Sequence, residues 1–279
     1  MTDHPRIPLA GVIGSPVAHS ASPRLHMHWL KRYGIPGYYI PMDVSQDALR
    51  EVISALPKAG FVGLNVTIPH KEKVLALADV VTDRAALIGA ANTLIFRKDG
   101  RMHADNTDGY GFIANLRQNA PDWNPAAEPA AVLGAGGAAR AVLASLIEVG
   151  VSEIRLANRT RARSEALRQE FGAKIVVYDW VQAGTMIDGA KTVVNTTSLG
   201  MTGKSEFRVP LDGLSPKAVV SDLVYTPLRT RLLEEAASIG CITVDGLGML
   251  IHQASPAFER WFGVRPDVDD AVRAAILEE

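Results

Sequence analysis

Two stretches of this 279-residue chain hold side chains suited to chemistry. The first is "LNVTIPHK", residues 64–71, where an amide, a hydroxyl and an ammonium follow one another closely. Side chains alternate faces along a strand, so Asn65 and Thr67 share one face while Val66 and Ile68 point the other way. With Phe61 and Leu64 nearby, the strand is expected to be half buried, its polar face lining a cleft or meeting water. Pro69 cannot donate to a ladder, so the strand ends there and Lys71 enters the first turn of a helix over "HKEKVLALAD". Taken alone, this is an ordinary strand–helix junction with a solvated lysine.

The second stretch is "AAVLGAGGAARAVL". Gly134, Gly136 and Ala139 fall in the G-x-G-x-x-G/A pattern, after an apolar strand and at the mouth of a helix. Gly134 permits the tight turn, Gly136 lets a pyrophosphate approach the backbone, and Ala139 allows close helix–strand packing. Free N–H groups and the positive dipole end of the helix suit phosphates. The next strand, "EIRLANRT", ends in Asn158, Arg159 and Thr160, where an NAD-binding unit carries Asp or Glu for the ribose 2′-hydroxyl. A guanidinium in place of that carboxylate favours a 2′-phosphate, which a planar fork holds by two charge-assisted bonds. Arg161 and Arg163 follow within a turn, and Arg161 reads as part of a solvated helix start. NADP is therefore the expected cofactor. "NTTS", residues 195–198, ends another apolar strand and reads as a loop beside the nicotinamide, Thr197 within it.

Both stretches sit in a chain that alternates short apolar strands with amphipathic helices, the pattern of an α/β protein with mostly parallel strands. "IPLAGVIG" reads as a strand, and "SPRLHMHWLKRYG" as a helix opened by Ser22 and Pro23 and closed near Gly34. "GYYIPMDV", helix "QDALREVISALPKAG" and strand "FVGLNVTI" continue the rhythm. "NTLIFRKDGRMHADN" reads as a hairpin around Lys98-Asp99-Gly100. A helix begins near "TDGYGFIANLRQN", capped by Thr107 or Asp108. Three prolines in "APDWNPAAEPA", residues 120–130, mark a surface connection, beyond which a second α/β unit opens. The last helices, "LGMLIHQASPAFERWFG" and "DVDDAVRAAILEE", could pack on either half.

The totals narrow the function class. Apolar residues make up 47% of the chain, enough for a real core. A net charge of −1 argues against general nucleic-acid binding, which needs a basic surface to replace counterions. The single cysteine, Cys241, rules out an intramolecular disulfide, offers no metal-ligand cluster and reads as a buried structural thiol. No metal site is expected. His19 and His26 read as structural hydrogen-bonding groups, while His70 and His252 simply face away from the candidate site. The opening "MTDHPRIPLAGVIG" lacks the features of a signal peptide and no run is as long as a membrane span, so a soluble, cytoplasmic protein is expected.

In order along the chain, "GSPVAHSASPRLH", "NVTIPHK", "GAANT", "NTDGYG", "GAGGAAR", "NRTRAR", "NTTS", "DLVYTPLRTRLL" and "DGLGMLIHQA" resemble the motifs of shikimate dehydrogenases, and the likeness covers nearly the whole chain. It implies NADPH-dependent reduction of 3-dehydroshikimate to shikimate, a step of aromatic amino-acid synthesis. It also implies a substrate-binding catalytic domain over 1–107 and 246–279, and an inserted Rossmann-type NADP-binding domain over 108–245. The implied catalytic pair is Lys71 and Asp108, with Ser20, Ser22, Asn65, Thr67, Asn92, Tyr225 and Gln253 holding the substrate. Cofactor contacts would fall on Gly134, Ala135, Gly136, Gly137, Ala138, Asn158, Arg159, Thr160, Arg163, Thr197, Leu223 and Gly246, and on Asp83 of "DRAAL". One departure is Met27, where the family often has Asn after the His of its opening motif; a change of packing rather than chemistry is expected.

The residue types suit such a reaction. A small polyol acid needs short polar side chains converging on it, because buried polar atoms must be paired. Removing hydride from a secondary alcohol requires that the hydroxyl proton leave too. An ammonium can stabilise the developing alkoxide or donate a proton while a carboxylate orients it; which of the two transfers the proton is open. A quinate/shikimate dehydrogenase is the alternative within the enzyme class. From another class, a non-catalytic dinucleotide or metabolite sensor would have no need of the Lys71–Asp108 pair. Monomer and homodimer both fit.

Overall fold

The alternating pattern folds into two six-stranded sheets flanked by helices, an α/β architecture, in a computed structural model that describes residues 7–126 and 128–278. The chain forms two compact units, Met1–Thr107 with Ile251–Glu279, and Asp108–Leu250.

In the first unit the strands are β1 (Leu9–Gly14), β2 (Tyr38–Asp43), β3 (Phe61–Val66), β4 (Val80–Val81), β5 (Thr93–Phe96) and β6 (Met102–Asp105), in the order β2-β1-β3-β5-β6-β4. Helices α1 (Ser22–Arg32), α2 (Leu49–Ala55) and α3 (Asp83–Ile88) connect them. The strands β5 and β6 form the expected antiparallel hairpin, Thr93 opposite Asp105. Strand β3 lies inside the sheet between β1 and β5. Leu64 and Val66 face a core with Ile13 and Leu94, while Val62 packs on the other side with Val12, Ile95 and Trp261. The half-buried strand expected from the sequence is therefore covered on both faces, and Asn65 is buried rather than wet. Strand β3 also stops at Val66, so Thr67 lies beyond it and Ile68 is exposed. The helix expected over "HKEKVLALAD" is only a 3₁₀ stretch, Lys73–Leu77, and Lys71 precedes it in a turn. Too few residues are left to wind an α-helix: His70 is anchored to Val44 O, and Ala78 is already extended to feed β4.

In the second unit α4 (Asp108–Asn119) leads to β7 (Ala130–Leu133), β8 (Ile154–Ala157), β9 (Ile175–Tyr178), β10 (Thr192–Asn195), β11 (Val219–Asp222) and β12 (Ile242–Val244). Between them lie α5 (Gly137–Glu148), α6 (Arg161–Phe171), α7 (Ala183–Ile187) and α8 (Arg231–Ile239). All strand pairs are parallel, in the order β12-β11-β10-β7-β8-β9. This is the doubly wound nucleotide-binding arrangement, and the order reverses between β7 and β10, where such sheets bind ligands. Phe112, Leu116, Leu143 and Leu146 cover one face, and Met186, Ile187, Leu232 and Leu233 the other.

Helix α9 (Gly246–Phe262) carries the chain back to the first unit, the division between units falling within it after Leu250. Helix α10 (Asp270–Leu277) packs on α1, where the Arg32 guanidinium grips both Asp269 oxygens at 3.0 and 2.8 Å.

Candidate active site

A hydrogen-bonded cluster runs through the first unit. Ser20 Oγ accepts the Ser22 N–H at 3.3 Å, and Ser22 lies beside the Tyr39 phenol. Tyr39 donates to Asn65 Oδ1 at 2.7 Å, and Asn65 Nδ2 donates to the Asn92 carbonyl at 3.2 Å. Asn92 Nδ2 donates to Thr107 Oγ1 and to Gln253 Oε1, each at 2.9 Å, while its Oδ1 accepts the Thr107 N–H at 2.9 Å. Ser22, Asn65, Asn92, Thr107 and Gln253 are all buried, a setting in which polar groups are retained only when paired. Thr67 is half-buried, its N–H held by Ile13 O at 2.9 Å.

The cluster rests on aromatic rings. His26 stacks on Tyr39 with ring centres 4.0 Å apart and planes 2° from parallel, and Trp29, Phe258 and Trp261 surround it. Burial holds His26 down to about 3, opposed only in part by nearby Asn65. Among the described residues neither ring nitrogen has a hydrogen-bond partner, so the structural hydrogen bonding expected of His26 is replaced by stacking. His19 is exposed, and His70 donates to Val44 O at 2.7 Å. Met27 accepts the Tyr39 N–H on its sulfur at 3.3 Å, a packing role.

Lys71 is placed by its backbone. Its carbonyl accepts the Ala91 N–H at 2.8 Å, and the next residue, Asn92, donates its N–H to Asp105 O at 3.1 Å. Asp105 anchors that segment. Burial pushes its carboxyl up, but bonds from Thr82 and from Arg84 carry it below the ordinary carboxylate range. Asn106 Nδ2 donates to Ala90 O at 2.8 Å. Thr107 ends the first unit, and the buried Asp108 opens α4 as the first residue of the second.

The second unit holds a cavity of about 370 Å³ at the sheet's reversal point, lined by Gly134–Gly136, Asn158, Arg159, Arg163, Trp180 and residues 196–199. Gly134 has φ +110°, and a Cβ there would come within 2.6 Å of Thr196 Oγ1. Gly136, at the N-cap of α5, has open space where a Cβ would be, so the backbone lies bare to the cavity. Asn158 Oδ1 accepts the Ala135 N–H at 3.2 Å and braces the turn. Arg161 is taken by Glu165 and Asp179, whereas among the described residues Arg159 and Arg163 have no ion-pair partner. A bare glycine turn at a helix N-terminus with two available guanidinium groups fits a dinucleotide carrying a 2′-phosphate.

Three family models match the chain: a shikimate dehydrogenase substrate binding domain over residues 12–94, a shikimate / quinate 5-dehydrogenase over 117–201, and a shikimate 5′-dehydrogenase C-terminal domain over 246–277. The shikimate dehydrogenase (NADP(+)) of Cereibacter sphaeroides strain ATCC 17025 is 76% identical over 277 residues, 99% of each chain. The chain belongs to the shikimate dehydrogenase family. A crystal structure of shikimate 5-dehydrogenase from Thermus thermophilus, in complex with NADP(H) and shikimate, is 37% identical with a TM-score of 0.85, covering 97% of this chain and all (100%) of that one. Quinate dehydrogenase from Corynebacterium glutamicum, in complex with NAD, is 31% identical with a TM-score of 0.87, covering 98% and 99%.

Within this shikimate dehydrogenase family chain, the cavity wall includes Trp180, Thr196, Ser198 and Leu199, which sequence reasoning did not single out. The "NTTS" loop pointed to the middle two; nothing in the sequence pointed to Trp180, which lies far along the chain on a short 3₁₀ turn. Tyr39, Thr107 and Asp105 were likewise missed as members or anchors of the polar cluster. Of the expected cofactor residues, Gly137 and Ala138 begin α5 and Thr160 precedes α6 at its N-cap position. Leu223 is half-buried, its N–H held by Asn195 O at 3.0 Å, and Gly246 starts α9 against the Leu223 carbonyl. None of these five lines the cavity. Tyr225 is half-buried in the second unit, and Asp83 is exposed in the first turn of α3, in the first unit. Cys241 is half-buried rather than buried, its thiol pushed up by desolvation.

Proposed function

We propose that this chain is an NADP-dependent shikimate dehydrogenase, interconverting 3-dehydroshikimate and shikimate in aromatic amino-acid biosynthesis. The observation that carries the reading is the cavity at the reversal point of the second sheet, where Arg159 and Arg163 stand in place of a ribose-binding acid beside a bare glycine turn. Family membership and the NADP-named relatives support it. The first unit then serves the substrate and the second the cofactor.

In this reading the nicotinamide supplies or accepts hydride at the ring carbon. Ser20, Ser22, Asn65, Thr67, Asn92, Tyr225 and Gln253 hold and orient the substrate's carboxylate and hydroxyl groups. The Lys71 ammonium stabilises the developing alkoxide and exchanges its proton, and the Asp108 carboxylate orients that ammonium. Gly134–Ala138, Asn158, Thr160 and Thr197 hold the dinucleotide, Arg159 and Arg163 its 2′-phosphate, with Leu223, Gly246 and Asp83 as further contacts. The enzyme is cytoplasmic and a monomer or homodimer. Among the described residues no helix is long and apolar enough to cross a membrane.

Incubating the full chain with shikimate and NADP⁺ while following nicotinamide absorbance tests the reading: steady production of NADPH is expected. Binding of both ligands without turnover would favour a metabolite sensor instead. The likeness to a quinate dehydrogenase supports a second reading, dual use of quinate and shikimate. Comparing kcat/KM for the two acids separates them, with shikimate expected to lead.

A further inference from the structure

Asp222, at the end of β11, is a fully buried carboxylate to which the reading above gives no role. Its Oδ1 accepts from Asn195 Nδ2 at 2.9 Å and from the Val224 N–H at 3.0 Å; its Oδ2 accepts from the Thr230 hydroxyl at 2.7 Å. These partners are all neutral, and desolvation pushes the carboxyl up to about 6. An amide could keep the Asn195 and Val224 bonds with its oxygen only while its nitrogen faces Thr230, whose hydroxyl would then lose its acceptor. Burying an anion among neutral donors costs stability that an amide would spare.

A carboxylate differs from an amide in one respect: it only accepts. It therefore takes the Asn195 Nδ2 donor, which also gives to the Leu199 carbonyl at 3.3 Å, while Asn195 Oδ1 turns the other way. That Oδ1 receives the Thr197 N–H at 3.0 Å and the Thr197 hydroxyl at 2.7 Å, and Thr197 Oγ1 in turn accepts the Leu199 N–H at 3.0 Å. Residues 196–199 are one wall of the cavity, and Thr196 lies against Gly134 of the glycine turn. An amide at 222 that turned its N–H₂ to this side would set it against the Asn195 Nδ2 and Val224 N–H donors, which cannot reverse because the Thr197 N–H holds Asn195 Oδ1, so the bond that ties Asn195 to β11 would be lost. We infer that Asp222 is a positioning residue for the cofactor, its acceptor-only side chain fixing through Asn195 and Thr197 the loop that walls the dinucleotide cavity.

The inference rests on NADP occupying this cavity, which NADPH binding to the unaltered chain tests by itself. The discriminating variant is Asp222→Asn in the full chain, measured by NADPH fluorescence titration and thermal melting. The expected result is an NADPH Kd raised about tenfold with a melting temperature equal to or above that of the parent, since a buried charge is gone. A merely structural carboxylate would show the reverse, so a protein that melts several degrees lower or fails to fold overturns the inference, as does a Kd within twofold of the parent. Thr230→Val cuts the bond to the opposite carboxylate oxygen. It is expected to lower the melting temperature, because Thr230 also caps α8, while leaving the Kd within twofold. Equal losses of NADPH affinity in the two variants would also overturn the inference.

Discussion

At the scale of single residues, chemistry and support separate cleanly. Lys71 is held by its backbone, the carbonyl bound to Ala91, which leaves the role of its ammonium to the side chain. Lys71→Ala is expected to lower kcat for shikimate oxidation by at least about 10²-fold with a much smaller change in KM, the pattern of a lost transition-state interaction. Steady-state kinetics read this, and an unchanged kcat would contradict it. Tyr39 is a support. Tyr39→Phe keeps the ring on His26 but leaves Asn65 Oδ1 buried without its donor, which should cost ~1–3 kcal/mol in denaturant unfolding. "NVTIPHK" showed where a polar strand end and a lysine would occur. It could not show Tyr39 or Thr107, because their places in the cluster depend on contacts between segments distant in sequence.

At the scale of elements, the strand–glycine turn–helix unit was legible because each of its positions answers a local constraint. Gly134 needs positive φ and has no room for a Cβ, whereas Gly136 has an ordinary φ of −101° and open space. The two should therefore respond differently. Gly136→Val is expected to raise the NADP KM more than tenfold while shifting the melting temperature by no more than a degree or two, because a Cβ there meets no protein atom within 4 Å and the side chain would project into the cavity. A variant that binds NADP normally would show that the phosphates lie elsewhere. The segment after β3 was misread as a helix for the opposite reason. Its length is set by tertiary anchors, His70 on Val44 and the entry to β4, which local propensity cannot register.

At the scale of the whole molecule, the alternation of strands and helices disclosed an α/β protein, and the parallel order β12-β11-β10-β7-β8-β9 gives the second unit its reversal point. What the sequence left open was where the last helices pack, because their apolar faces suit either unit. They are settled by pairings such as Arg32 with Asp269, 237 positions apart. Overall stability should also carry the mark of Asp222. Its folded-state value of about 6 exceeds its ordinary 3.8, so its contribution is fully present below about pH 4 and is lost as pH rises through 6. The melting temperature of Asp222→Asn relative to the parent should therefore rise between pH 4 and pH 7; a falling difference would contradict this assignment. Arg159 and Arg163 are proposed to choose the cofactor with which this chain oxidises shikimate. The most direct test is the ratio of kcat/KM for NADP⁺ to that for NAD⁺ at saturating shikimate. A ratio above about ten is expected from charge-assisted bonds to the 2′-phosphate; a ratio near or below one, or no turnover with either nucleotide, would contradict it.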